Sequence, residues 1–284
     1  MNRINRLVIA LAAMPYNEAR VLLELVCKGT TSLPGRRNRL QKHFKTALVR
    51  VLKFAKHETL RKLQRYMHSH RPLHGQDAPQ HSDAVRIAFN VDELSQDLSV
   101  MLSTEARAVL GTAVSDTLAA VGFRDPWTLP AQAALDFIAR RQNLLSGVSD
   151  EVFQQIRQAI SDGLTIGESY NELATRISNS FNTIEIGRAE VIAETETAAA
   201  YGYASDQAAR TAGIQYKKWL HGATSKVPRP DHVAIHGLVV PMDQPFPVGN
   251  PPLMYPHDGN GAPEDVINCS CISIPVIEQD FKNQ

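Results

Sequence analysis

The sequence predicts a mainly α-helical chain: helical N-terminal and middle regions followed by a small loop-rich α+β C-terminal module. Three observations predict it. Only 6% of the 284 residues are aromatic while Ala, Leu, Val and Ile are plentiful, a balance suited to helices packed on helices. Apolar residues in 38–67 recur at three- and four-residue steps, the period of a helix with one buried face. Ten of the 16 prolines lie between 228 and 275, which excludes long helices there. With 43% hydrophobic and 21% charged residues the chain can bury a sizeable core, so a small disulfide scaffold and a wholly disordered chain are both excluded.

The elements follow in order. Residues 4–28 carry an amphipathic pattern, and Gly29, Pro34 and Gly35 separate it from a second helix over roughly 38–67. In that helix Leu40, Phe44, Leu48, Val51, Leu52, Ala55, Leu60 and Leu63 form one face. Lys42, Lys45, Lys53, Lys56, Arg61, Lys62 and Arg65 occupy the rest. Residues 68–82 lack an apolar period and read as a linker. Helix-start chemistry then recurs at Asn90 with Glu93, Ser149 with Asp150 and Glu151, Thr165 with Glu168, and Asn182 with Glu185. Gly122, Gly163 and Gly213 stand where helices should stop. The spacing predicts helices near 92–120, 130–145, 150–162, 167–179 and 184–212, the last alanine-rich. After Gly213 come short apolar runs at 238–240 and 271–274 between turns. The expected domains are a basic helical hairpin (1–75), an acidic helical region (76–213) and an α+β module with a C-terminal tail (214–284).

The formal net charge of +1 conceals a polarity. Residues 1–75 hold 16 Lys+Arg against 3 Asp+Glu, and residues 76–284 hold 14 against 26. Such asymmetry points to partners of opposite sign. The basic helices suit the phosphate backbone of double-stranded DNA through Lys42, Lys45, Lys53 and Lys56. They suit equally an acidic protein surface, including the acidic remainder of copies of this chain. Few aromatics interleave with the cations, which disfavours base stacking on single strands. Three cysteines, Cys27, Cys269 and Cys271, cannot all pair within one chain, and with no secretory-signal pattern the expected compartment is reducing. The apolar run at 7–14 is too short to cross a membrane.

Chemistry-bearing side chains concentrate after residue 214: His221, Lys226, Arg229, Asp231, His232, His236, His257, Asp258, Cys269 and Cys271. In Pro228-Arg229-Pro230-Asp231-His232-Val233-Ala234-Ile235-His236-Gly237, Pro230 suits a first helical turn and Gly237 an exit. A short helix would then set His232 and His236 on one face. In Asn268-Cys269-Ser270-Cys271 an extended backbone puts both thiols on one side. Two imidazoles and two thiolates, His232, His236, Cys269 and Cys271, offer a tetrahedral zinc shell, and structural zinc contributes on the order of 10 kcal/mol. The competing reading is a hydrogen-bonded buried His232 beside apolar-packed cysteines, since Cys-x-Cys lacks the usual longer gap. The positions between the histidines hold no glutamate, which disfavours a zinc protease. A nuclease reading uses His221, His232 or His236 as acid and base, with Lys226 or Arg229 on a phosphate. Glu194-Thr195-Glu196 has the two-carboxylate spacing of some ADP-ribosyl transferases, but on a helix these side chains diverge and read as solvated charges.

Together Trp219, Arg229-Pro230-Asp231-His232, Gly237, Pro245-Phe246, Leu253-Met254-Tyr255-Pro256 and Asn268-Cys269-Ser270-Cys271 resemble the head-morphogenesis (minor head protein) domain of Mu-like tailed bacteriophages. Ile192-Ala193-Glu194-Thr195-Glu196 resembles the Ile-Ala-x-Thr-Glu helix that precedes that pattern. The resemblance covers about 150–277. It implies a non-enzymatic minor component of the virion head, assembled in the bacterial cytoplasm and associated with the portal protein, the major head protein and packaged DNA. The alternative is a virion-associated nuclease or nucleotidyl or ADP-ribosyl transferase centred on His232. Some relatives carry Cys-x2-Cys where this chain has Arg229 and His232, so the resemblance implies that His236 would substitute as a ligand. The family's Cys-Arg-Cys is here interrupted by Ser270, removing a basic contact.

Overall fold

The apolar period beginning at Leu40 is carried by helix α1, Ser32–Ser69, in a computed structural model that describes residues 32–69, 78–123, 125–222 and 228–276. The expected helix at 4–28, Cys27, Lys226 and the tail beyond 276 lie outside the described residues. Phe44, Leu48, Leu52 and Leu63 are buried, each contributing roughly 1.5–3 kcal/mol relative to exposure. They join one core with residues from all the long helices. The basic helix is therefore packed into the acidic helical body.

Helix α2, Ala78–Ala88, begins inside the expected linker. Ala84, Val85 and Ala88 are buried on it, and the following Phe89 stacks on Phe153 with ring centroids 5.9 Å apart. Helix α3, Val91–Ala120, starts as the sequence predicts: the Asn90 side chain accepts from the Asp92 and Glu93 amides. It ends before Gly122, whose φ is 70°.

Two expected breaks do not occur. Helix α4 runs unbroken over Ala131–Thr165 and helix α5 over Tyr170–Thr211, so Ser149 and Asn182 lie in helix interiors and cap nothing. Burial decides this. The stripe of Phe137, Ile138, Arg141, Ser149, Val152, Ile156 and Ile160 keeps its phase through Ser149, itself buried. On α5 Leu173, Ile177, Phe181 and Ile184 continue into Ala189, Ala193 and Ala200. A continuous buried face outweighs an internal cap signal, because most helical stability comes from packing. The true cap between these helices is Ser169, which forms a reciprocal capping box with Glu172, four residues beyond the expected Thr165.

Helix α5 spans roughly 63 Å at 1.5 Å per residue and packs against α1, α3 and α4. Beyond it lies a small antiparallel sheet of order β2-β1-β3, formed by β1 Tyr216–Leu220, β2 Val239–Pro241 and β3 Ile272–Val276. Two short helices, α6 Pro230–Ala234 and α7 Pro263–Val266, complete this module. It has its own core of Trp219, Phe246, Val248, Leu253, Val266 and the two cysteines.

Candidate metal centre

Alternation along β1 turns Lys217 and Trp219 inward. Trp219 is fully buried and meets Phe246 and His232 edge-on, with ring centroids 5.1 and 5.3 Å away. Pro230 opens α6 at its first turn, as read from the sequence, and seats His232 under the indole. From the other side the segment before β3 brings Cys269 and Cys271. The Cys269 sulfur accepts the Cys271 amide at 3.4 Å, so both thiols point one way.

The ring nitrogen Nδ1 of His232 stands 3.6 Å from each sulfur. His232, Cys269 and Cys271 form a possible metal-binding cluster with donor atoms within 4.8 Å of one another. All three residues are at most 3% exposed. The paired thiols titrate oppositely. Cys269 is pushed up and Cys271 pulled down, chiefly by the hydrogen bond between them. The His232, Gly222 and His221 contacts add to the lowering at Cys271. One thiolate facing imidazoles is the donor chemistry zinc selects.

His236 does not join the cluster. Helix α6 ends at Ala234, two residues before His236, so positions 232 and 236 do not share a helical face, and the His236 Nδ1 accepts the His221 amide at 3.0 Å. His221 approaches instead, its Nδ1 3.6 Å from the Cys271 sulfur. Gly237 takes the exit that the sequence predicts, with φ of 85° and its amide on the Trp219 carbonyl. Gly222 is needed for close approach, since a Cβ there would sit 2.2 Å from the Ser270 carbonyl oxygen. Arg229 donates to the Ile267 carbonyl at 2.7 Å, tying α6 to the cysteine segment.

The Glu194-Thr195-Glu196 segment is not a set of solvated charges. Thr195 and Glu196 are buried. The Thr195 hydroxyl accepts the Asn268 amide at 3.4 Å, and Glu196 takes two hydrogen bonds from Arg141 at 2.7 and 2.6 Å. The same helix holds the module at further points. Pro256 and Tyr255 close over Gly202, where a Cβ would meet the Pro256 oxygen at 3.0 Å. Lys217 reaches Asp206 at 3.7 Å and donates to the Met254 carbonyl at 2.6 Å. Arg210 donates to the Met242 carbonyl. Sequence reasoning missed Arg141, Asp206 and Lys217 because nothing local marks a long-range partner.

His257 is buried, bonded through Nδ1 to the Val266 carbonyl at 3.0 Å. Burial first, then the charge of Arg37, holds it well below its usual value. The folded state thus keeps it neutral while the unfolded chain takes up a proton below about pH 6.5. Stability from this group is complete above that pH and is expected to fall by about 1.4 kcal/mol per unit on further acidification. Urea denaturation between pH 7 and 5 should show a flatter slope for His257→Phe; an unchanged slope would remove His257 as its source.

The cations proposed from sequence are partly committed within the chain. Lys45 pairs with Glu190 and Lys56 donates to Asn182 at 3.2 Å. Arg36 meets Asp116 at 2.6 Å, His43 meets Glu105 at 2.8 Å and Lys62 meets Glu93 at 2.8 Å. Arg39, Lys42, Arg50 and Lys53 are exposed, and at 100° per residue they share the face opposite Phe44 and Leu48.

The thiol–imidazole cluster is buried, and the module that carries it is held to helix α5. Residues 154–274 match the family model described as Phage Mu protein F like protein, the head-morphogenesis family that the Trp219-to-Cys271 pattern resembles. The chain is also similar to the Uncharacterized protein YqbB of Bacillus subtilis (strain 168), 32% identical over 95 residues, or 32% of this chain and 31% of that relative. The chain thus spans under a third of the length of the curated relative it matches. No solved structure matches the chain. Among the described residues no helix is long and apolar enough to cross a membrane.

Proposed function

We propose that this chain is a minor structural protein of a tailed-phage head, assembled in the bacterial cytoplasm and built into the virion at the portal vertex. The observation that carries the reading is the coincidence of the family match over 154–274 with a sealed site. A catalyst must admit substrate to its reacting atoms. His232, on which a nuclease or transferase would depend, is 1% exposed, which supports a docking element over a catalyst. In this reading the module and the acidic helices contact the portal and major head proteins, and zinc staples the module through His232, Cys269 and Cys271. Co-purification tests the assignment: the protein should appear in assembled heads and with isolated portal, and its absence from mature particles would overturn it.

The exposed stripe of Arg39, Lys42, Arg50 and Lys53 is the surface offered to packaged double-stranded DNA. Each phosphate contact contributes roughly −0.9 to the slope of log affinity against log salt. Alanine at Arg39, Lys42 and Arg50 is therefore expected to make that slope shallower by about 3. An unchanged slope in DNA titrations of the full chain would assign the stripe to an acidic protein surface.

A further inference from the structure

We propose that the fourth donor of the centre is His221, so that His221, His232, Cys269 and Cys271 enclose one zinc ion. This rests on the metal reading above and replaces His236 in the donor set. The sulfur–nitrogen distances carry it, with the His221 donor at Cys271 but outside the compact His232–Cys269–Cys271 cluster, so that binding the ion draws its ring inward. A tetrahedral ion with bonds of 2.3 Å to sulfur and 2.0–2.1 Å to nitrogen holds a sulfur and a nitrogen about 3.6 Å apart. The three sulfur–nitrogen separations, His232 to Cys269, His232 to Cys271 and His221 to Cys271, are each 3.6 Å. A single S–H···N hydrogen bond accounts for one such distance, but not for one nitrogen equidistant from two sulfurs.

The exclusion of His236 is chemical. Its Nδ1 accepts a backbone N–H, which in the neutral ring leaves the proton on Nε2 and no lone pair for a metal. That bond instead fixes the backbone of His221, making His236 a positioning residue. The far side of His232 is also suited to a ligand. A metal-bound imidazole commonly directs its other nitrogen to a carboxylate, and Asp231 and Asp265 place oxygens within 4.8 Å of a His232 ring nitrogen. Among the described residues the buried Nε2 of His232 has no hydrogen-bond partner.

Metal content of the full chain purified with zinc, followed by chelator competition, tests the donor set. Wild type should retain one zinc per chain, and His236→Ala, which removes a positioning contact but no donor, should still load one zinc and release it to chelator more readily than wild type by about 10-fold. His221→Ala should lose its zinc to chelator more readily by about 100-fold, at or beyond the top of the range for an outer-shell partner. His221→Cys guards against a variant that fails to fold: loaded with Co2+, its thiolate-to-metal absorption should rise by about one half, from two sulfur ligands to three. Zinc retained by His221→Ala as in wild type, or a cobalt band unaltered in His221→Cys, overturns the assignment of His221 and leaves the centre standing. No zinc in the wild-type chain overturns both.

Discussion

Glu196→Ala is expected to destabilise the fold by about 3–5 kcal/mol, the range for stranding one member of a buried ion pair. Arg141 and Glu196 side chains are 4% and 7% exposed, and two hydrogen bonds join them in parallel. Burial opposes the Arg141 charge, yet the Glu196 carboxylate outweighs it and holds the guanidinium above its ordinary range. Removing the carboxylate leaves a cation with neither water nor partner. The double variant Arg141→Met with Glu196→Leu should recover most of the loss, since an apolar pair of similar volume replaces both charges. Urea denaturation of the three proteins checks this, and a single variant costing under about 1 kcal/mol, the level of an exposed pair, would contradict it.

Trp219→Ala should cost a comparable amount, about 3–5 kcal/mol, but in a different place. Among the described residues the indole is the largest fully buried side chain and belongs to a core of seven buried members. Its loss opens a cavity between Phe246 and His232, which the short strands cannot close. Because the helices have their own core, near-ultraviolet signals of the module should fade at lower urea than the far-ultraviolet helical signal. Loss of both signals together would show that the module and helices unfold as one unit. Trp219→Phe is expected to cost less, as it keeps a ring and removes an indole N–H that has no partner among the described residues.

Much of this architecture was legible in the sequence. The Asn90 cap, the exits at Gly122 and Gly213, Pro230 at a first turn and the twin thiols on one side all rest on local chemistry, and the structure agrees with each. The merged helices α4 and α5 were not legible as such. Cap signals at Ser149 and Asn182 are local, whereas the buried stripe that overrides them exists only once the helices pack. The same limit applied at the centre. A four-residue spacing paired His232 with His236 on an assumed helix, but α6 is too short. His221 lies 50 residues from Cys271 along the chain and meets it only through the β1–β3 pairing. Glu196 looked solvated because its partner, Arg141, is 55 residues away.

The four points where the module grips α5, at Thr195, Gly202, Asp206 and Arg210, fall at steps of seven, four and four, hence along a single side of one unbroken rod. Their mates on the module lie between 217 and 268. A fragment cut at the first strand would discard its own floor, so the smallest separable piece must take the rod with it. From the first of these grips the same helix runs on unbroken for roughly 33 Å, from Thr195 back to Leu173 among the helical core.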